Sequence, residues 1–351
     1  MKLDKYLELE PYSLSSNIKR KYFFPFINQL TNDHYKKSKQ YRKLLDFLGY
    51  KKTSKIEEMP FIPTDIFKKF EIKSIADKAI IKTLKSSGTR GAPSKIFLDK
   101  YNSQNQRKVL GRIVSDILGK NRLPMLIIDK NISQNQQKSF NARVAAINGF
   151  SIFGKQVHFL LNENGEIDYE KLNEFFEKNI NERIFIFGFT SLIYENLILK
   201  LDKKRFDKNL SKSILIHGGG WKKLENKKIT NKKFKEDLYK KFEIEKIHNY
   251  YGLVEQTGSI FFDCEKCGCF ITSIFSDVII RNSNFEIVKD GESGIIQLLS
   301  VLPTSYPGHN ILTEDEGKIL ASNNCKCSSK GKRFIVTGRN KESEIRGCSD
   351  T

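Results

Sequence analysis

The chain is poor in proline and short of acid. Its 351 residues include 8 Pro and 22 Gly, and 41 Asp+Glu stand against 61 Lys+Arg. Proline and glycine at these levels exclude collagen-like and low-complexity classes. Long hydrophobic runs are also missing. A helix that crosses a bilayer needs about 20 apolar residues. The best stretch, Ile184 to Tyr194, is broken by Gly188, Thr190 and Ser191. The opening MKLDKYLELE mixes acids among its apolar residues and offers no signal-peptide core. These absences predict a cytoplasmic protein with no membrane insertion. Its six cysteines are then expected to be reduced thiols, metal ligands or reactive groups.

The shortage of acid leaves a net charge of +20, which invites a polyanionic partner such as nucleic acid. The distribution argues otherwise. The densest stretch, Trp221 to Lys241, carries nine Lys but also Glu225, Glu236 and Asp237, and reads as a solvated helix face. No recognisable nucleic-acid module is present, so no nucleic-acid partner is expected. With 39% hydrophobic and 11% aromatic residues, the chain has enough apolar material for a real core and is not a disordered type.

The first sixty residues read as helical and polar. Beyond Pro60 and Pro63, strand-like and helix-like blocks alternate: Ala79 to Leu84, Asn102 to Leu118, Pro124 to Asp129, Gln156 to Leu161, Arg183 to Phe189, Ser213 to His217 and Glu245 to Tyr250. Strands separated by crossover helices predict a largely parallel sheet with ligand loops at the strand C-termini. After about Ser259 the pattern changes to short β runs without helices, which suggests a small antiparallel sheet or barrel. The expected division is 1–260 as an α/β region, 261–338 as a β-rich subdomain, and 339–351 as a tail.

Four segments can carry chemistry. Ser86-Ser87-Gly88-Thr89-Arg90-Gly91-Ala92-Pro93-Ser94-Lys95 follows an expected strand and precedes an expected helix. Its small residues let backbone N–H groups approach a polyphosphate, while the hydroxyls, Arg90 and Lys95 add donors and charge. It is not a Walker loop, because no Gly-Lys-Ser/Thr closes it. A second segment, Ser213 to Lys222, runs a strand into His217-Gly218-Gly219-Gly220-Trp221-Lys222 and leaves bare backbone against which a flat ring can lie, although a tight strand-ending turn uses the same residues. Tyr250-Tyr251-Gly252-Leu253-Val254-Glu255 puts an aromatic and a carboxylate at a strand end, a combination suited to stacking and to magnesium. Gly308 to Asp315 ends in acidic residues of the kind that accept ribose hydroxyls.

The order of these segments resembles the adenylate-forming (acyl-AMP-forming) ligase superfamily. The fuller strings SSGTRGAPSKIFLD, GGGWK, YGLVEQTGSIFF and LLSVLPTSYPGHNILTEDEG, with GR-x-K-x-x-E-I-RGCSD, look like the acyl-protein synthetases. These are LuxE-type enzymes of the bacterial-luminescence fatty-acid reductase system, related to phenylacetate-CoA ligases. The resemblance runs from about Pro60 to the end. It implies an α/β fold with the mixed and parallel sheets of the adenylate-forming large domain, plus a small β-barrel-like subdomain. It further implies that Ser86 to Lys95 hold the ATP phosphates, that Gly218 to Gly220 flank the adenine and that Tyr251, followed by Gly252, stacks on it. Glu255 would bind Mg2+, Asp315 the ribose, and Arg339 would sit at the hinge. The sequence ends at Thr351, twelve residues beyond Arg339 (351 − 339). The reading therefore expects the C-terminal mobile domain to be absent, with Lys95, Lys341 or Arg346 as candidates for its missing lysine.

The cysteines divide by spacing. Cys348, between Gly347 and Ser349 with Arg346 nearby, has the setting of an exposed attacking thiolate. The resemblance agrees, since acyl-protein synthetases carry the acyl group on a cysteine near the C-terminus. Cys264-x-x-Cys267 and Cys325-x-Cys327 have the spacing of a structural Zn2+ site, with Cys269 as the spare or substitute. The expected activity is ATP-dependent activation of a carboxylic acid, a fatty acid by resemblance, followed by transfer to Cys348 as a thioester for a reductase-like partner protein. The alternative is a ligase that delivers an acyl or aminoacyl group to coenzyme A or a carrier-protein thiol in lipid or surface-glycan biosynthesis.

Overall fold

The computed structural model describes residues 1–86, 92–131, 142–221, 229–320, 325, 327 and 329–339. The strands in chain order are β1 (Ile62–Pro63), β2 (Lys82–Lys85), β3 (Lys95–Leu98), β4 (Leu123–Lys130), β5 (Gly154–Leu161), β6 (Phe185–Phe189), β7 (Ile214–Gly218), β8 (Lys246–Tyr251), β9 (Phe261–Phe262), β10 (Phe270–Ile271), β11 (Ser276–Arg281), β12 (Gly294–Ser300), β13 (Asn310–Leu320) and β14 (Arg333–Arg339). The alternating α/β series and the later run of β strands fall where periodicity predicts them.

The chain forms two compact units, one of residues 117–251 and one that joins 1–116 to 252–339. This partition differs from an expected boundary near 260, and the physical reason lies in the N-terminal helices. The Tyr6 hydroxyl donates to Ile274 O at 2.6 Å. The Lys19 ammonium donates to Ser276 O at 2.6 Å and lies 3.6 Å from Asp277. Thr31 Oγ1 and His309 Nε2 are 2.8 Å apart. β1 completes the join by pairing in parallel with β13, Ile62 opposite Ile311. Residues whose polarity reads locally as surface helix thus cover the β-rich sheet from a distance of about 250 positions in sequence.

In the 117–251 unit the parallel strands lie in the order β5-β4-β6-β7-β8. β6 and β7 are buried at every position, which explains their unbroken apolar runs. The helix Tyr169–Lys178 contributes Leu172, Phe175 and Phe176 to the core, and Asn231–Phe242 contributes Phe234, Leu238 and Phe242. Of the basic stretch, Lys232, Lys233 and Lys240 are exposed on the outer face of that second helix, and residues 222–228 lie outside the described residues. Phe187 of β6 stacks on Phe150 at 4.4 Å, so this aromatic strand is a core element.

In the other unit the antiparallel order is β10-β14-β13-β12-β11, with β1 beside β13. The register of β13 against β14 slips between Glu316 and Gly317. A Cβ at Gly317 would lie 2.2 Å from Ile335 O, so this bulge needs a residue without a side chain.

Candidate active site

The Ser/Gly segment is set differently from its sequence reading. It joins β2 to β3, which pair antiparallel with Lys85 opposite Lys95, and the helix Lys100–Leu118 begins only after β3. Its described flanks are thus paired strands and not a strand followed by a helix. Ser87, Gly88, Thr89, Arg90 and Gly91 lie outside the described residues. At its ends, Ser86 Oγ accepts from Ser94 N at 2.8 Å. Lys95 pairs with Glu71 at 2.7 Å, both half-exposed.

Glu255 occupies the single-turn helix Val254–Gln256 and is buried. Burial pushes its carboxyl above the usual carboxylate range, while the Ser94 hydroxyl and the Lys68 ammonium pull the other way. The turn is pinned by its neighbours. Tyr306 donates its hydroxyl to Glu255 O at 2.8 Å. Gln256 Nε2 donates to Leu298 O at 3.0 Å and to Gly308 O at 2.8 Å. A Cβ on Gly308 would stand 2.6 Å from Glu255 O and 2.3 Å from the Tyr306 ring, so glycine permits this close packing. Lys68 bonds both Glu314 and Asp65, the latter at 2.6 Å.

Asp315 follows Glu314 on β13 and is buried. It faces Arg339 across the β13–β14 pair, with Arg339 Nε 3.2 Å from its Oδ1. One unit therefore brings Glu255, Glu314, Asp315 and Arg339 onto adjoining elements. Sequence spacing misses the supporting Lys68 and Tyr306, and foresees Ser94 only as part of the segment Ser86 to Lys95. Tyr306 does fall inside the string PTSYPGHN, but nothing in its local pattern marks it.

The glycine run and the tyrosines belong to the other unit. β6, β7 and β8 are parallel, so Phe189, Gly218 and Tyr251 end at one edge, where open α/β sheets place ligands. Gly218 faces Tyr250: a Cβ there would lie 2.4 Å from the Tyr250 ring. Gly219 takes φ +79°, and Gly220 is open. Thr190 Oγ1 lies 2.9 Å from His217 Nδ1, and burial holds His217 neutral by lowering its pKa to about 3.

Of the cysteines, Cys264, Cys325 and Cys327 place their sulfurs within 4.8 Å of one another. Cys267 is exposed, and the Cys269 thiol donates to Cys267 O at 3.5 Å. Cys348, Lys341 and Arg346 lie outside the described residues.

This architecture has counterparts of known structure. An open conformation of 2-hydroxyisobutyryl-CoA ligase, bound to its acyl adenylate and CoA, superposes with a TM-score of 0.73 at 12% identity, over 96% of this chain and 78% of that one. The postadenylation state of the ligase gives 0.70 at 11% identity, over 93% and 69%. The fold is that of the adenylate-forming ligases. Within that class the chain belongs to the LuxE acyl-protein synthetase family, whose model matches residues 2–351. It is an enzyme, a ligase that forms an acyl adenylate and transfers the acyl group, and its substrates are an acid and an acyl acceptor. Similar proteins include the long-chain-fatty-acid–luciferin-component ligase of Aliivibrio fischeri, 24% identical over 298 residues that cover 81% of this chain and 75% of that protein. The ligase of the same name from Vibrio harveyi is 21% identical over 333 residues, covering 90% and 83%. Among the described residues, no helix is long and apolar enough to cross a membrane.

Proposed function

We propose that the enzyme activates a long-chain fatty acid with ATP and Mg2+, loads it on Cys348, and passes it to a partner protein of reductase or carrier type. The observation that carries this reading is the family match over residues 2–351, a span that includes Cys348. The similar proteins named for long-chain fatty acids support the choice of acid.

In the first step a carboxylate oxygen attacks the α-phosphorus of ATP, the bond to the bridging oxygen breaks, and pyrophosphate leaves. In the second the Cys348 thiolate attacks the acyl carbon, the bond to the adenylate oxygen breaks, and AMP leaves. The thiol proton goes to solvent. Positive groups preset against phosphate charge lower the first barrier. Lys95 is free to take this part because its pair with Glu71 is solvent-exposed and weak. Asp315 accepts the ribose hydroxyls. Gly218 to Gly220 and Tyr251, followed by Gly252, receive the adenine.

The donor set around Glu255 fits magnesium, a hard cation that prefers oxygen, because a buried carboxyl stands there beside the Ser94 hydroxyl. Bound there, the ion would neutralise phosphate charge. Arg339 of β14, paired with Asp315 of β13, would serve as the hinge residue.

The test is intact-mass analysis after incubation with ATP, Mg2+ and acids of graded chain length. The expected adduct is one fatty acyl group, released by hydroxylamine and lost in Cys348→Ala. An adduct that persists on another cysteine overturns the acceptor. AMP release that needs added CoA and survives Cys348→Ala supports delivery to coenzyme A instead.

A further inference from the structure

The cysteine cluster plays no part in the acyl chemistry, yet it has the arrangement of a ligand set. It draws on two segments far apart in sequence: the turn that starts at Cys264, and the stretch containing Cys325 and Cys327. The first segment is a closed turn. Cys264 N donates to Cys269 O at 2.8 Å, and Gly268 N donates back to Cys264 O at 2.7 Å. Gly268 has φ +69°, which glycine adopts without strain. Cys267, the fourth residue of this turn, is exposed and interacts through its thiol with Cys264 and Cys325.

The sulfur spacing discriminates between a disulfide and a metal. Cys264 Sγ and Cys325 Sγ are 3.6 Å apart, whereas a disulfide requires about 2.0 Å. Thiolates about 2.3 Å from a tetrahedral zinc ion lie about 3.8 Å from one another. All three sulfurs of Cys264, Cys325 and Cys327 fall within 4.8 Å of each other, a spacing that one ion can draw together. Arg333 lies on the same cluster, with its Nη2 2.8 Å from Cys327 Sγ, and supplies positive charge to a site that carries a surplus of thiolate.

We propose that Cys264, Cys267, Cys325 and Cys327 bind one structural zinc ion, with Cys269 outside the ligand set. Four protein thiolates leave no open position, so the ion does not react. Its place in the fold gives it a mechanical role. Cys264 and Cys269 flank the turn between β9 and β10, and β10 pairs with β14, Phe270 opposite Phe334. The ion ties that turn to the chain entering β14, the strand that ends at Arg339 opposite Asp315.

The experiment begins with elemental analysis of the full chain purified from zinc-supplemented culture, and one zinc per chain is expected. Replacement by Co2+ should then give the sulfur-to-cobalt charge-transfer band and intense visible bands of a tetrahedral thiolate site. Cys269→Ser and Cys348→Ala should keep the metal, and Cys264→Ser and Cys325→Ser should lose it. Because these last two can fail to fold, the native chain is also alkylated with and without bound zinc. Metal should protect Cys264, Cys267, Cys325 and Cys327 and leave Cys348 reactive. Substoichiometric zinc with no cobalt spectrum, a mass two hydrogens lighter from a disulfide, or equal labelling in both states overturns the proposal. Loss of zinc in Cys269→Ser with retention in Cys267→Ser overturns the ligand set.

Discussion

Asp315, in the middle of β13, and Arg339, the last residue of β14, face each other as register partners of two antiparallel strands, 3.2 Å apart, the carboxylate buried and the guanidinium partly in solvent. The pair binds the proposed ribose ligand to the last described residue before the tail. Asp315→Asn should leave the shape intact while weakening the charge-assisted bonds to the ribose. Such bonds are worth about 1.5–3 kcal/mol, so the KM for ATP in pyrophosphate exchange should rise roughly 10- to 150-fold. An unchanged KM would remove Asp315 from the nucleotide site. Arg339→Ala should lower stability by about 1–3 kcal/mol, less than a fully buried pair because Arg339 reaches solvent.

Glu255 makes stability depend on pH. Its carboxyl titrates above the usual range, chiefly because it is buried. The folded chain therefore holds this proton more tightly than the unfolded chain. Unfolding releases it, so stability falls as pH rises from the ordinary carboxylate value through the raised one. Above that window the cost of a buried charge is fully present. In magnesium-free buffer, Glu255→Gln should gain thermal stability over the native chain at neutral pH, and the gain should vanish as pH falls toward the ordinary carboxylate range. Pyrophosphate exchange by the variant should drop by at least about 100-fold, the scale of a lost electrostatic contact in a catalytic site. Full activity together with a pH-independent stability difference would contradict the assignment.

The parallel sheet was legible because β6 and β7 are buried on both faces and so read as continuous apolar runs. The motif string predicts an acidic strand end for Asp315, but Asp315 lies in the middle of β13, and Glu255 lies on a single-turn helix. The association of the N-terminal helices with the β-rich sheet was not legible. It depends on single long-range contacts such as Tyr6 with Ile274 and on the parallel pairing of β1 with β13, none of which has a periodic signature. The paired-strand flanks of Ser86 to Lys95 escaped notice because a Gly/Ser turn looks alike before a helix or a strand. Tyr306 was hidden for a related reason: its role is to hold a backbone carbonyl 51 residues away.

Removal of the Tyr306 hydroxyl tests that support. Tyr306 is fully buried, and its hydroxyl donates to Glu255 O at 2.8 Å. Tyr306→Phe keeps the ring and leaves the carbonyl unsatisfied, a loss of about 1–3 kcal/mol. Denaturant unfolding should show that loss. The Mg2+ concentration for half-maximal pyrophosphate exchange should rise while the KM for the acid stays constant, because only the turn bearing Glu255 is loosened. A change confined to stability would make Tyr306 a packing residue alone.

The two ends of the glycine run make different demands. Gly218 ends β7 against Tyr250, so a methyl group there would stand 2.4 Å from the ring, whereas at Gly220 it would meet nothing within 4 Å. Overpacking of a filled core costs about 1–3 kcal/mol, so Gly218→Ala should lower the unfolding midpoint distinctly and Gly220→Ala hardly at all. The nucleotide reading adds a second contrast. If Gly220 leaves bare backbone beside adenine, Gly220→Ala should raise the KM for ATP without loss of stability. If the run only turns the chain after β7, Gly220→Ala should be neutral in both measurements. Thermal unfolding and exchange kinetics on the same two variants therefore separate a folding role for Gly218 from a binding role for Gly220.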